Sequence, residues 1–359
     1  MQVDEVTLAR YRQQAPALLD AVEPASESPW IMRKDAATGY CVKYEGGWCG
    51  IHKQYGDSFL GDACYFYPRS TRLLGMQPVM TAALSCPEIA RLALFDSTPF
   101  AFGETAIGRL PESLKNYLPD GMTAEDALAI HTAFLQATEE DADAEIILAR
   151  LMSVNHSIER IDKKSWAQAV PFYLKHADTR LPAAEPHPTD PFNLLHALSG
   201  LIVATKKPMS ERLAQTVSEM EQALAVTLDW NHVLIHTSDA SANAYQLLRS
   251  RWQQEKRHYQ PILKRYVQMQ LSLALYPFSG LGHTLVDRMT IIGVRLATVR
   301  LAIMAACSKH DTVMPKDTIV RIVQSLSRFM DHLGDSKFSL SIYKETGWVK
   351  ENRLRGLLE

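Results

Sequence analysis

Cys41, Cys49, Cys64 and Cys86 are four of the chain's five cysteines, and they crowd into the stretch between residues 41 and 86, far from Cys307. A thiolate is a soft metal ligand and a redox group, and four of them match the coordination number of zinc or of a cubane iron–sulfur cluster. Their spacing, Cys-x7-Cys-x14-Cys-x21-Cys, is neither the paired Cys-x2-Cys of a zinc ribbon nor the tight run of a bacterial ferredoxin. Spacing therefore leaves two readings open, a metal centre or small buried hydrophobes. The neighbours favour ligands. Gly50 beside Cys49 permits close backbone approach, and Pro68 and Pro87, after Cys64 and Cys86, stiffen the chain there.

Other chemical spacings are weaker. His232 and His236 stand at i, i+4, where two imidazoles on one helix face can share zinc, but Val233 occupies the place of a peptidase Glu. They read as a helix face. Ser279-Gly280-Leu281-Gly282-His283 has no strand before it and reads as a connecting turn, not a dinucleotide loop. No Cys-x3-Cys-x2-Cys occurs, so radical chemistry has no sequence support. The acidic run Glu139, Glu140, Asp141, Asp143, Glu145 complements a helix start. Trp252, Tyr259, Tyr266 and Tyr276 recur beside Arg251, Lys256, Arg257 and Arg265; aromatics facing the core and cations facing water explain them.

The elements that must position these residues are mostly helices. Apolar residues recur at three and four over Thr7–Val22, and Ser85 with Pro87 and Glu88 opens a helix to Leu94. Thr123-Ala-Glu-Asp starts another, to about Ala137. Helices are expected over 139–161, 164–176, 192–205, 210–228, 242–276, 285–308 and 315–333. Between Pro29 and Pro68 no period is sustained, which predicts loop, short strand and a brief helix near 52–60. The expected fold is mainly α: a multi-helix domain with an irregular, cysteine-rich N-terminal module. The module is placed at 1–100 and the helical domain at 101–359, with a Pro-rich connection at 177–191.

A formal charge of −2 and a pI near 6.6 give no cationic surplus to displace counterions, which argues against nucleic-acid binding. Val286–Cys307 is the most apolar window, yet it carries Arg288, Arg295 and Arg300. Unpaired arginines at mid-bilayer are costly, so it reads as a buried helix and no membrane partner is expected. The acidic start, Met-Gln-Val-Asp-Glu-Val, lacks an apolar h-region, and reduced thiols in the cytoplasm are expected.

The wording around the cysteines goes further. It runs Tyr40-Cys41; Gly47-Trp-Cys49-Gly-Ile-His52-Lys-Gln-Tyr-Gly56; Leu60-Gly-Asp-Ala-Cys64-Tyr-Phe-Tyr67-Pro-Arg69; and Leu84-Ser-Cys86-Pro-Glu88-Ile-Ala-Arg91. In order, spacing and flanking residues this resembles the flagellin lysine-N-methylase family. Leu263-Lys-Arg-Tyr before Tyr276-Pro-Phe, and Leu326-Ser-Arg ahead of His332, resemble its later helices. The resemblance implies transfer of a methyl group from S-adenosylmethionine to a lysine ε-amine of flagellin. It also implies a [4Fe-4S] cluster, with zinc as the alternative, on Cys41, Cys49, Cys64 and Cys86. Family members carry a further Cys-x3-Cys-x3-Cys-Cys run upstream of the point where Met1 stands, which leaves open which thiols bind the cluster. A lysine amine is protonated at neutral pH, so the reaction needs a proton acceptor or a desolvated amine. Glu88 and Tyr67 are the candidates inside the matched motifs, Glu88 being equally a first-turn carboxylate that stabilises its helix. Arg69 is placed to balance a cluster's charge or bind a carboxylate, or is a surface residue after a turn. The rival from another class is a non-catalytic iron–sulfur or zinc binding module.

Overall fold

A computed structural model describes residues 1–359 except 26–29, 99, 107, 112–113, 178–182, 207, 311–312, 332, 334–335 and 359. His332 and Pro182 therefore lie outside the described residues, as does part of the Pro-rich connection at 177–191. The chain forms two compact units: Met1–Thr71 with Thr105–Lys115, and Arg72–Glu104 with Asn116–Glu359.

The first unit carries α1 (Glu5–Gln14), β1 (Val22–Glu23), β2 (Ile31–Met32), β3 (Tyr44–Glu45), β4 (Trp48–Cys49), α2 (Gly50–Tyr55) and α3 (Asp62–Phe66). The strands form two antiparallel hairpins. Gly46 (φ 57°) and Gly47 (φ 89°) turn β3 into β4 with the positive dihedrals that a tight two-residue turn demands. A small core of Leu8, Tyr11, Leu18, Met32 and Ile51 holds the unit. Asp4 fastens it: its carboxylate caps α1 through Thr7 N at 2.7 Å and also accepts Asp62 N, at the start of α3, at 2.9 Å. These hydrogen bonds hold the Asp4 carboxyl below its usual pKa although burial acts to raise it.

The second unit is helical. A hairpin of β5 (Arg69–Leu74, whose first residues belong to the first unit) and β6 (Gln77–Ala82) leads into α4 (Pro87–Phe95). Then follow α5 (Ala124–Gln136), α6 (Ala144–Ile158), α7 (Trp166–Lys175), α8 (Asp190–Ala204) and α9 (Glu211–Leu224). After the hairpin β7 (Thr227–Asp229) and β8 (Leu234–His236) come α10 (Asp239–Glu255), α11 (Gln260–Leu273), α12 (Leu285–Cys307), α13 (Lys316–Met330), α14 (Ser336–Glu345) and α15 (Glu351–Leu358).

The mainly α expectation holds, with several local corrections. The helix expected over 242–276 breaks at 256–259, where Pro261 in the first turn of α11 favours a new start. α4 is capped by Cys86, one residue after the expected Ser85. His232 and His236 share no helix face: residues 227–236 form a hairpin, and His232 sits in its turn, 2.8 Å from the Asp229 carboxylate. Trp252, Tyr259, Tyr266 and Tyr276 are buried in the core.

α12 is the axis of this unit, packed by α6, α8, α9, α11, α13 and α15. Thr284 opens it with a capping box, Asp287 returning the bond to the Thr284 amide. It is the one described helix long and apolar enough to cross a membrane, and the whole of its apolar window is buried inside protein. Each fully buried Leu, Ile or Val on it contributes about 1.5–3 kcal/mol, an upper figure because unfolded chains are partly collapsed. Two of its arginines bond inside the protein: Arg295 to Asp331, and Arg300 to Leu357 O at 2.9 Å.

The last helix depends on one glycine. A Cβ at Gly356 on α15 would overlap the backbone of Glu185 and Pro186. That segment is tied to α15 by Glu185 N to Asn352 O (3.0 Å). Backbone cannot rotate away as a side chain can, so Gly356→Ala is expected to cost about 1–3 kcal/mol by overpacking, read as a lowered urea midpoint.

Candidate functional site

In the first unit, Cys41 lies in an isolated bridge to Lys34, Cys49 ends β4 and caps α2, and Cys64 is in the middle of α3. Burial pushes the Cys64 thiol up to about 11, helped by the charges that Cys49 and Cys41 would carry. The phenol of Tyr11 is raised as well, first by burial and then by Cys64, Cys49 and Cys41. Three thiols and Tyr11 thus share one electrostatic neighbourhood. The Cys64 sulfur is 3.6 Å from the Met1 sulfur. A thiol near 11 stays protonated at neutral pH, and only a nearby cation would draw it into the thiolate form.

Among the described residues no group of three or more His, Cys, Asp or Glu is placed to hold a metal ion. Cys86 belongs to the second unit, where it caps α4. The first unit by itself supplies three of these thiols, one fewer than a closed four-thiolate cluster takes.

Arg69 reaches Tyr65 O at 2.6 Å and lies over the Tyr65 ring, 5.3 Å from its centroid. Arg109, which the sequence did not single out, lies closer to that ring, at 4.1 Å, and binds Leu60 O and Asp62. It pins the start of α3. Tyr67 is about half exposed, before a cis peptide bond to Pro68. Glu88 is on the exposed face of α4, clasped by Arg91 at 2.6 and 2.8 Å. The Arg91 hydrogen bonds hold its carboxyl below the usual range. A proton acceptor works best with a pKa near the operating pH, and this clasp moves Glu88 away from it.

The second unit holds a cavity of 230 Å³. One wall is α12, from which Arg288, Ile291, Ile292 and Arg295 project at i, i+3, i+4 and i+7, a single stripe. Opposite stand Gln270 and Ala274 at the end of α11, then the loop Ser279–Leu281, with Arg72 of β5, Tyr117 and Asp331 completing the lining. Tyr117 is fixed by its amide to Leu73 O at 2.9 Å. Gly280 (φ 120°) lets the loop pass Ala274, whose Cβ would be 3.3 Å from any Cβ added there.

The charges on this wall are all engaged. Arg295 donates to Asp331 at 3.1 Å and Gln270 at 3.0 Å, a buried ion pair. Arg288 donates to the carbonyls of Pro277 and Gly282. Arg72 is hydrogen-bonded to the Tyr117 phenol. Burial lowers the pKa of both Arg72 and Arg288, though a guanidinium stays protonated regardless. Each of the three arginines thus has partners inside the protein, as does Asp331, the one carboxylate among the described lining residues. The wall carries no charge without a partner. The sequence held one signal for it: arginines on the most apolar helix, Arg288 and Arg295 of them seven apart, read there only as evidence against a membrane.

A mainly helical protein with a thiol-bearing first unit and an arginine-walled cavity in its helical unit is the class that fold and geometry define. The family model for the FliB lysine N-methylase C-terminal domain matches residues 120–348, more than half of the chain. The chain belongs to the FliB lysine N-methylase family. The matched segment contains α5 to α14 and most of the cavity wall, with Tyr117 just before it and Arg72 further upstream, and it begins beyond the cysteine motifs. No curated protein and no solved structure matches the chain.

Proposed function

We propose that this protein is a cytoplasmic methyltransferase that moves a methyl group from S-adenosylmethionine to lysine side chains of flagellin. The observation that carries the reading is the family match over residues 120–348, whose name states lysine N-methylation. The wording around residues 40–94 supports flagellin as the substrate.

The step is an in-line displacement. The lone pair of a neutral lysine amine attacks the sulfonium methyl carbon, the carbon–sulfur bond breaks, and its electron pair leaves on sulfur as a neutral thioether. The new ammonium then releases its proton. Charge is dispersed rather than created, so the main contribution of the protein is to hold donor and amine in line. Tyr67 and Glu88 remain the proposed proton acceptors. Tyr67→Phe and Glu88→Gln separate them, since loss of a general base costs about a hundredfold or more in kcat.

The direct test is mass spectrometry of flagellin incubated with purified protein and S-adenosylmethionine. Expected is a methyl increment on lysine that disappears when the donor is omitted. Absence of any increment overturns the reading. Metal content in that same preparation would then leave the non-catalytic metal-binding module, whose ligands Cys41→Ser and Cys64→Ser should remove. Iron, sulfide and zinc analysis decides whether a cluster or zinc is present, independently of methyl transfer.

A further inference from the structure

We propose that the cavity lined by Ala274, Ser279, Ile291 and Ile292 receives the adenine of the methyl donor, a placement that rests on the methyl-transfer reading. Three observations carry it. The first is that the charges of the cavity are already paired within the protein. Arg295 donates to Asp331 at 3.1 Å and to Gln270 at 3.0 Å, and the Gln270 amide donates in turn to Asp331 at 3.2 Å. Arg288 donates to the carbonyls of Pro277 and Gly282 and stands in the field of Glu159 and Asp287. Arg72 is bonded to the Tyr117 phenol. S-adenosylmethionine has three parts: an amino-acid end with a carboxylate and an ammonium, a sulfonium, and a neutral adenosine. Either charged part would have to break one of these pairings to find a partner here, and an unpaired buried charge is costly. The neutral adenosine requires no such exchange.

The second is the surface between those charges. Leu273 and Ala274 at the end of α11, Leu281 in the following loop, and Ile291 and Ile292 on α12 line the cavity with aliphatic groups. A flat ring system gains by leaving water for such a surface. The third is a hydroxyl. Ser279 lines the cavity and is only 6% exposed; its amide donates to Leu275 O at 3.3 Å, yet its side chain makes no hydrogen bond among the described residues. Buried hydroxyl groups are ordinarily partnered. A hydroxyl both donates and accepts, which matches the edge of adenine, where an amino group adjoins a ring nitrogen. At 230 Å³ the cavity is below the roughly 300–1,000 Å³ of sites that enclose a whole drug-sized ligand. It has room for the base and not for the whole donor. The sulfonium and its methyl group therefore stay outside, where a protein lysine can approach.

The test is calorimetric titration of the full chain with S-adenosylmethionine, and competition against it by adenosine and by methionine, the neutral and the charged ends of the donor. Adenosine should compete and methionine should not. Ser279→Ala should weaken both S-adenosylmethionine and adenosine by about two- to tenfold, the value of one neutral hydrogen bond. Ala274→Leu fills the cavity without touching charge and should weaken both by about tenfold or more. Ser279→Ala removes a single oxygen, so it carries the test if the bulkier variant fails to fold. Adenosine affinity unchanged in the variants that fold overturns the cavity assignment. Competition by methionine without competition by adenosine overturns it as well, and in both cases the donor itself still binds. If S-adenosylmethionine does not bind the unaltered protein at all, the donor reading fails and this placement falls with it.

Discussion

Replacing Arg295 with methionine should destabilise the protein by about 3–5 kcal/mol, because it leaves Asp331 as a buried charge without its cation. Both side chains are nearly inaccessible, Arg295 at 10% and Asp331 at 2%, so water does not compensate. The guanidinium also satisfies Gln270 Oε1 and the carbonyl of Met330, and these would be stranded together. The pair joins α12 to the end of α13, so the loss should appear in chemical denaturation as a lowered midpoint and an unfolding rate raised by at least as much as folding slows. The double replacement Arg295→Met with Asp331→Leu should recover most of it, since a matched apolar pair fills the space without a desolvated charge. If Arg295→Met alone unfolds at the same denaturant concentration as the parent, the pair contributes nothing and the packing account of this corner is wrong.

Acid should unfold the protein partly through one imidazole. His131 on α5 is completely buried, and its Nδ1 donates to Tyr276 O at 2.6 Å, which leaves Nε2 as the unprotonated nitrogen. Among the described residues Nε2 has no hydrogen-bond partner. Burial pulls the His131 pKa down from 6.5 to about 4, with Arg72 adding to the fall and the Tyr276 carbonyl opposing it. The unfolded chain therefore binds a proton near pH 6.5 that the folded protein refuses until about pH 4. Stability is full above 6.5 and falls as pH drops through that window, by about 3 kcal/mol in all for a shift of this size. His131→Gln should flatten the difference in unfolding free energy between pH 7 and pH 4.5, whatever it does to stability at either pH. An unchanged slope would mean that other groups carry the acid sensitivity.

Both effects arise where the sequence was hardest to read. Arg288 and Arg295 were legible as charges on an apolar helix, but their partners, Asp331 and the carbonyls of Met330, Pro277 and Gly282, come from loops and helix ends that no local pattern joins to α12. His131 drew no notice, because a histidine on an amphipathic helix is common and only the packing of the Tyr276 segment against it makes it a buried neutral base. Conversely, the helical periodicity was reliable wherever a stripe of apolar residues had one face to bury, as on α9 (Leu213, Val217, Met220, Leu224) and α13 (Ile319, Ile322, Val323, Leu326, Met330). It failed at His232–His236, where a two-residue coincidence of spacing sat in a short hairpin. Four residues are too few to distinguish a helical period from a turn.

The cysteines show the same division. That they are chemically unusual was evident from their crowding and from flanking words such as Tyr67-Pro68-Arg69, and the family membership agrees with the kinship those words suggested. Their convergence was a question about distance, and distance between segments is decided by tertiary packing. Cys41, Cys49 and Cys64 fold into one unit close enough to sense one another, while Cys86 caps a helix of the other unit.

By itself, then, the amino-acid order determined the helices, the arginines on the apolar helix and the kinship, because each of these is written in residues that are neighbours along the chain or repeat at a fixed period. Only the three-dimensional packing decided that Arg72, Tyr117, Gln270, Arg288 and Asp331 surround one cavity, for they come from five separate segments. The physical reason is that burial and charge pairing act through space. Their energies depend on which distant residues exclude water from a group, and no local pattern records that.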